Sequence, residues 1–201
     1  MNIEKYLDEI KQVCIELHIN EIATVIDELR RLRDRGGRLF ILGVGGSAAN
    51  ASHAVNDFRK ICGIEAYAPT DNVAEYTARA NDEGLDMTFN KWLLTSRLNE
   101  NDAILVLSVG GGNLDTSLNL VRAIDTAKAC GSRILGIVSR DGGYTKHEAH
   151  ACIMVPIVNE DHITPHAEAF QAILLHMKVW ALKRITKGQL VSSLGIGISA
   201  M

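Results

Sequence analysis

Apolar residues recur at helical spacing from the start of the chain: Ile3, Tyr6, Leu7, Ile10, Val13, Cys14 and Leu17, then Ile22, Val25, Ile26, Leu29 and Leu32. That period predicts an amphipathic helix over residues 3–35, single or broken near Asn20, and the pair Gly36–Gly37 ends it. A stripe this apolar on a first helix predicts packing against a partner subunit. The pattern then changes. Residues 38–44 (RLFILGV) form a short, continuous, β-rich apolar run, as in a strand buried on both faces of a parallel sheet. Similar runs stand at 64–70 (IEAYAPT), 103–108 (AILVLS), 132–139 (SRILGIVS) and 151–158 (ACIMVPIV). Helical stretches fall between them: after the first run at 45–60, then at 71–82, 85–98, 114–131 and, shorter, 140–149. A long helix from about Pro165 to Lys187 closes the series, with the proline in its first turn. Strand, turn and helix repeated about five times predict a doubly wound α/β fold with a five-stranded parallel sheet and a helical N-terminal extension. No linker divides the chain, so residues 1–201 read as one domain. The tail, 188–201, is small, apolar and glycine-punctuated, and no element is assigned to it.

Composition narrows the function. The 201 residues are 47% hydrophobic, 22% charged and 5% aromatic, with 17 Gly and 3 Pro. This chain can bury a core of its own without disulfide or metal staples. A formal net charge of −3 with pI near 6.2 argues against a general nucleic-acid or membrane-surface binder. The charged N-terminus lacks the apolar core of a signal peptide. The four scattered cysteines (Cys14, Cys62, Cys130, Cys152) contain no CxxC pair and read as buried free thiols in a reducing cytoplasm.

Two glycine-rich loops carry the first chemistry. Gly43-Val44-Gly45-Gly46-Ser47 and Ser108-Val109-Gly110-Gly111-Gly112-Asn113 each follow a predicted strand and open a predicted helix. Backbone N–H groups and a hydroxyl at a helix N-terminus favour an anion. One such loop is explained equally well as a close strand-to-helix turn. Two in one small sheet point to a phosphate or phosphosugar site. Neither loop has the Walker lysine or the full GxGxxG pattern, which lowers the nucleotide readings. A hydroxyl-lined loop without lysine suits a sugar phosphate held by neutral donors.

Two His–carboxylate pairs follow. His53 and Asp57 stand four apart on one helix face, about 6 Å along the axis. Glu168 and His176 stand eight apart on the late helix, about 12 Å along it. Each imidazole taken alone fits an ordinary surface or core histidine, and Phe170, Ile173, Leu174 and Met177 give the late helix a core-packing explanation. Taken together, two His and two carboxylates suit Zn²⁺ or a similar divalent ion, with Glu168 and His176 leaning together at full stretch. Asn81-Asp82, just after the helical stretch DNVAEYTARA (71–80), reads as a turn or cap. The run His162, Thr164, Pro165, His166 fits either a metal site or the start of a helix capped by Thr164.

These residues, in this order, resemble the SIS-domain phosphosugar isomerases, and among them the phosphoheptose isomerase (sedoheptulose 7-phosphate isomerase) family. The segments GVGGSAANASHAVND, Asn81-Asp82, SVGGGN with LNLVRA, SRDGG and TPHAEAFQAILLH carry the resemblance, which spans nearly the whole chain. It implies a cytoplasmic homotetramer, with residues 1–35 used for oligomerisation, active sites between subunits, and zinc in some members. It implies interconversion of sedoheptulose 7-phosphate and D-glycero-D-manno-heptose 7-phosphate, the first step toward activated heptose for surface polysaccharides. Asp57 falls on the catalytic base and His176 on the catalytic histidine. Gly45, Gly46, Ser47, Asn81, Asp82 and Glu168 fall on substrate-contacting positions, as do Ser108, Gly110, Gly111 and Ser117 of the phosphate loop. His53, Asp57, Glu168 and His176 form the metal set.

This sequence departs from the family pattern in four places. Val44 stands for a common Asn, Asp57 for Glu, Glu168 for Gln, and the phosphate loop is longer. In the chemistry so implied, Asp57 is the base, His176 the acid on the opposite side, and a metal polarises the carbonyl. Two rival expectations remain: a non-catalytic SIS binding module of the replication-initiator-associating type, and an isomerase or sensor of another sugar phosphate.

Overall fold

The computed structural model describes residues 2–183. The N-terminal helical stretch is two helices, α1 (Ile3–Glu16) and α2 (Ile19–Asp34), broken at Leu17–His18. Asn2 caps the first, its side chain accepting from the N–H groups of Glu4 and Lys5. The remaining elements run in the order β1 (Leu39–Gly43), α3 (Gly46–Asp57), β2 (Ala66–Tyr67), α4 (Val73–Asp82), α5 (Thr88–Thr95), β3 (Ala103–Leu107) and α6 (Leu118–Ala129). They continue with β4 (Arg133–Val138), α7 (Gly143–Glu148), β5 (Ala151–Met154) and α8 (Ile163–Leu182). All five strands are parallel, in the order β2-β1-β3-β4-β5. The chain's winding therefore reverses between β1 and β3, and in such sheets ligands bind in the crevice beyond the carboxyl ends at that reversal.

Alternation along each strand builds two cores. Leu39 and Ile41 of β1, Leu105 and Leu107 of β3, and Leu135 and Ile137 of β4 pack with Val25, Leu29, Phe58 and Leu174. Phe40, Leu42, Ile104, Val106 and Ile134 face the other way, onto Phe89, Leu93, Leu120 and Ile124. Both sheet faces are thus covered, which is why these strands read as unbroken apolar runs.

Several details correct the reading of the sequence. The run at 64–70 contributes only two residues to the sheet, as an edge strand. The helical reading of 114–131 starts at Leu118, because Asn113 folds the preceding residues into a side-chain-bonded turn onto the N–H groups of Asp115 and Thr116. Asn81 and Asp82 lie in the last turn of α4 rather than beyond it. Among the cysteines only Cys62 is buried, while Cys14 is exposed. Helix α8 begins two residues before Pro165, so Thr164 lies inside it and His162, not Thr164, is the cap residue. Its chain leaves the helix at Lys183. Residues 184–187 of the expected helix, and the tail at 188–201, lie outside the described residues. Phe170 and Leu174 are core residues of α8, but Ile173 and Met177 are partly exposed.

Candidate active site

Strand β1 delivers the chain to its carboxyl end at Gly43, and Gly45, in the left-handed region at φ +63°, turns it into α3. Gly46 opens that helix and has a packing reason to be glycine. A Cβ there would collide with the carboxylate of Glu168 from α8. Asn50 reinforces the contact, its amide donating to the Glu168 carbonyl at 2.9 Å and to Gln171 Oε1 at 3.1 Å. The α3–α8 pair is close because α3 presents Ala51 and Ala54 to the core.

Strand β3 delivers the second loop. Ser108 Oγ accepts from the N–H of Gly111 at 3.0 Å, so that N–H is already committed. Gly111, at φ +71°, lies so close to the Gly142 carbonyl that a side chain would overlap it. The Thr145 hydroxyl and N–H both donate to the Gly111 carbonyl, at 2.7 and 3.0 Å, and the Tyr144 N–H donates to Gly112 at 2.9 Å. The loop is therefore pinned to the start of α7. Ser117 caps α6 from the left-handed region, at φ +58°.

Between these loops, beyond the β1–β3 reversal, lies a cavity of about 850 Å³. Of the residues expected to contact substrate, Ser47, Ser108, Gly110, Ser117 and Glu168 line it. Gly45, Gly46 and Gly111 shape the loops without lining it, and Asn81 and Asp82 do not line it within one chain. The loops also bring Asn113 and Thr116 to the wall, and Thr164 comes from α8. Arg140 and Asp141 line it too, which the sequence reading passed over. The available signal was the motif SRDGG, a charged pair between a strand end and a glycine turn. Arg140 itself sits in the left-handed region, at φ +55°, and its side-chain stem lies along Gly110. The cavity wall is thus not wholly neutral: one guanidinium stands in it, a group suited to phosphate.

Further along the same helices, about two to three turns along α3 from Ser47 and about two turns along α8 from Glu168, stands the histidine cluster. Asp57 Oδ2 is 3.3 Å from His53 Nε2 and 3.4 Å from His176 Nδ1, and its Oδ1 accepts from Asn56 at 3.0 Å. The two imidazoles meet edge-on, with centroids 5.0 Å apart. Asp57 is the last residue of α3 before the helix widens into a π turn at Phe58–Cys62, a distortion that frequently accompanies functional positions. His53, Asp57 and His176 could each offer one ligand atom, all within 4.8 Å of one another, so three of the four expected ligands converge. Glu168 stays against Gly46, outside this cluster. His176 is not across from Asp57 but in contact with it. Both imidazoles face out, with side chains 57% and 60% exposed, while that of Asp57 is only 12% exposed.

Comparison with known proteins agrees with this architecture. The SIS domain family model matches residues 5–139. A phosphoheptose isomerase of Geotalea daltonii is 31% identical over 154 residues, covering 72% of this chain and 78% of the relative. A probable phosphoheptose isomerase of Thermoplasma acidophilum is 29% identical over 174 residues, covering 82% and 93%. Among solved structures, the phosphoheptose isomerase from Neisseria gonorrhoeae superposes with a TM-score of 0.78 at 20% identity, over 90% of this chain and 96% of that one. The switch-point cavity, the two glycine loops and these matches converge: the chain belongs to the SIS domain family, within its phosphoheptose isomerases.

Proposed function

We propose that this isomerase interconverts the ketose and aldose forms of a phosphorylated seven-carbon sugar, sedoheptulose 7-phosphate and D-glycero-D-manno-heptose 7-phosphate. The observation that carries this reading is the placement of an anion-suited cavity beside a carboxylate held between two imidazoles on the same helix pair. The phosphate takes the Ser108–Ser117 loop and Arg140. The sugar then runs toward α3 and α8.

Asp57 removes the proton from C1 of the ketose, and the C–H electron pair becomes the C1–C2 double bond of an enediol. His176 gives a proton to the C2 oxygen. Return of a proton to C2, with loss of the C1 hydroxyl proton, leaves the aldose. The His53 contact keeps the carboxylate oriented. His53, Asp57 and His176 fit a borderline divalent ion such as zinc, by donor type and by their mutual reach. Such an ion would polarise the carbonyl oxygen.

The exposure of both imidazoles supports a site completed by another copy of the chain, as in a homotetramer. Ile173, Met177 and Trp180, exposed on α8 around His176, and Ile3 and Leu7 on α1 offer apolar surface for that contact. Incubation of the protein with sedoheptulose 7-phosphate, followed by NMR, tests the reading. Aldose formation that falls by about 10²–10⁴-fold in Asp57→Asn and drops likewise in His176→Ala is expected. No turnover with any ketose phosphate would overturn it.

A further inference from the structure

A second histidine cluster lies on the other side of the α8 N-terminus. Glu9 of α1 reaches the start of α8, where its Oε2 stands 2.7 Å from His162 Nδ1 and 2.9 Å from His166 Nε2. His162 is the cap residue of α8 and His166 lies in its first turns, and both side chains face Glu9. Asn159 donates to the other carboxylate oxygen at 2.7 Å and fixes its orientation. The Tyr6 ring stacks on His166 at 4.7 Å and meets His162 edge-on at 5.2 Å, closing one wall. Glu9 and His166 are buried, with residue exposures of 7% and 2%. His166 Nδ1, the ring nitrogen that does not face Glu9, is buried with no partner among the described residues.

We propose that Glu9, His162 and His166 form a second divalent-metal site, separate from the cluster around Asp57, that takes zinc or an ion of similar preference. Two imidazoles and one carboxylate, drawn from two helices, can each present one ligand atom within 4.8 Å of the others. That donor set is one zinc takes in proteins, with bonds of about 2.0–2.2 Å. Bonds of that length at tetrahedral angles set donor atoms about 3.3 Å apart, so each imidazole nitrogen needs to move about half an ångström away from the Glu9 oxygen. His162 has room for this, because its side chain is 27% exposed. Asn159 already occupies the outer-shell position that a ligating carboxylate needs. His166 and His176 are ten residues apart, about 15 Å along α8, so one ion cannot serve both clusters. A metal here would clamp α1 to the segment that also carries the cavity residues Glu160 and Thr164.

The test uses tag-free protein in which His53→Ala and His176→Ala have removed the first cluster. After stripping with chelator, loading with zinc and dialysis, about one zinc per chain should remain. Adding Glu9→Gln, or separately His162→Ala, should remove it. Asn159→Ala should weaken zinc binding about 10–100-fold. Cobalt in place of zinc should give the visible absorption of a low-coordinate nitrogen–oxygen site, lost in the same variants. Circular dichroism checks that each variant is folded. A folded double variant that retains no zinc overturns the proposal, as does zinc that survives both Glu9→Gln and His162→Ala. Because the readout is metal content and not turnover, failure of the isomerase reading would leave this result unaffected.

Discussion

The two histidine clusters use the same chemistry in opposite surroundings. Around Asp57 the carboxylate is largely covered and both imidazoles face out, 57% and 60% exposed. Around Glu9 the carboxylate is buried with one imidazole, and the other is only partly open. The distances follow the burial: 3.3 and 3.4 Å in the open cluster, 2.7 and 2.9 Å in the closed one. A buried carboxylate has lost its water and must be satisfied by protein donors, and Glu9 has three of them. An exposed cluster can leave its geometry loose, to be completed by substrate or a second chain. Helix α8 also shows what happens to a buried charged group that lacks a partner. Lys178 is fully buried, its Nζ has no partner among the described residues, and burial pushes the amine down to about 7.

The largest test of this contrast is Asp57→Asn. It should lower kcat/KM by about 10²–10⁴-fold, the usual contribution of a general base, while the melting temperature stays near the wild-type value. Glu9→Gln, measured in metal-free protein, should do the reverse and lower the melting temperature by several degrees, because a buried pair of imidazoles loses its charged acceptor. Thermal scans with assays at a temperature where both variants are folded would break the contrast if the two lost equal activity.

The pH dependence sharpens it further. The His166 contact, then those of His162 and Asn159, hold the Glu9 carboxyl at about 2, against an ordinary 4.5. A depressed carboxyl stabilises the fold fully above its unfolded pKa, and that share is lost as pH falls from about 4.5 through about 2. Denaturant titrations of wild type and Glu9→Gln should therefore differ most above pH 4.5 and converge near pH 2. A gap unchanged by pH would contradict this. The smallest expected effect is that of Gly46→Ala. The added methyl pushes the Glu168 carboxylate off the α3 N-terminus, and steady-state kinetics should show KM for the sugar phosphate raised severalfold, with little change in melting temperature.

Much of the fold was legible because strands buried on both faces must be continuously apolar, as at 39–43 and 103–107. Helices packed on one side must be periodic, as in α1 and α2. The edge strand β2 was overread, since a segment at the margin of a sheet needs only two paired residues. Ser47 and Ser108 were legible as wall residues because glycine loops after strands can open only at the carboxyl end of the sheet, whereas Glu168 came from the family resemblance alone. Arg140 was not, since its role depends on where the β4 turn falls relative to the β3 loop. Asp57 and His53 could be paired from their spacing alone.

The sequence by itself determined the layered parallel fold, the two glycine loops and the pairing of residues four apart, since these follow from local period and turn chemistry. Only the tertiary structure decided that His176 meets Asp57 directly while Glu168 stays behind at Gly46. Only it joined Glu9 to His162 and His166, across more than 150 residues of chain. Long-range contacts of this kind depend on how helices pack across a sheet, and no local pattern encodes that distance.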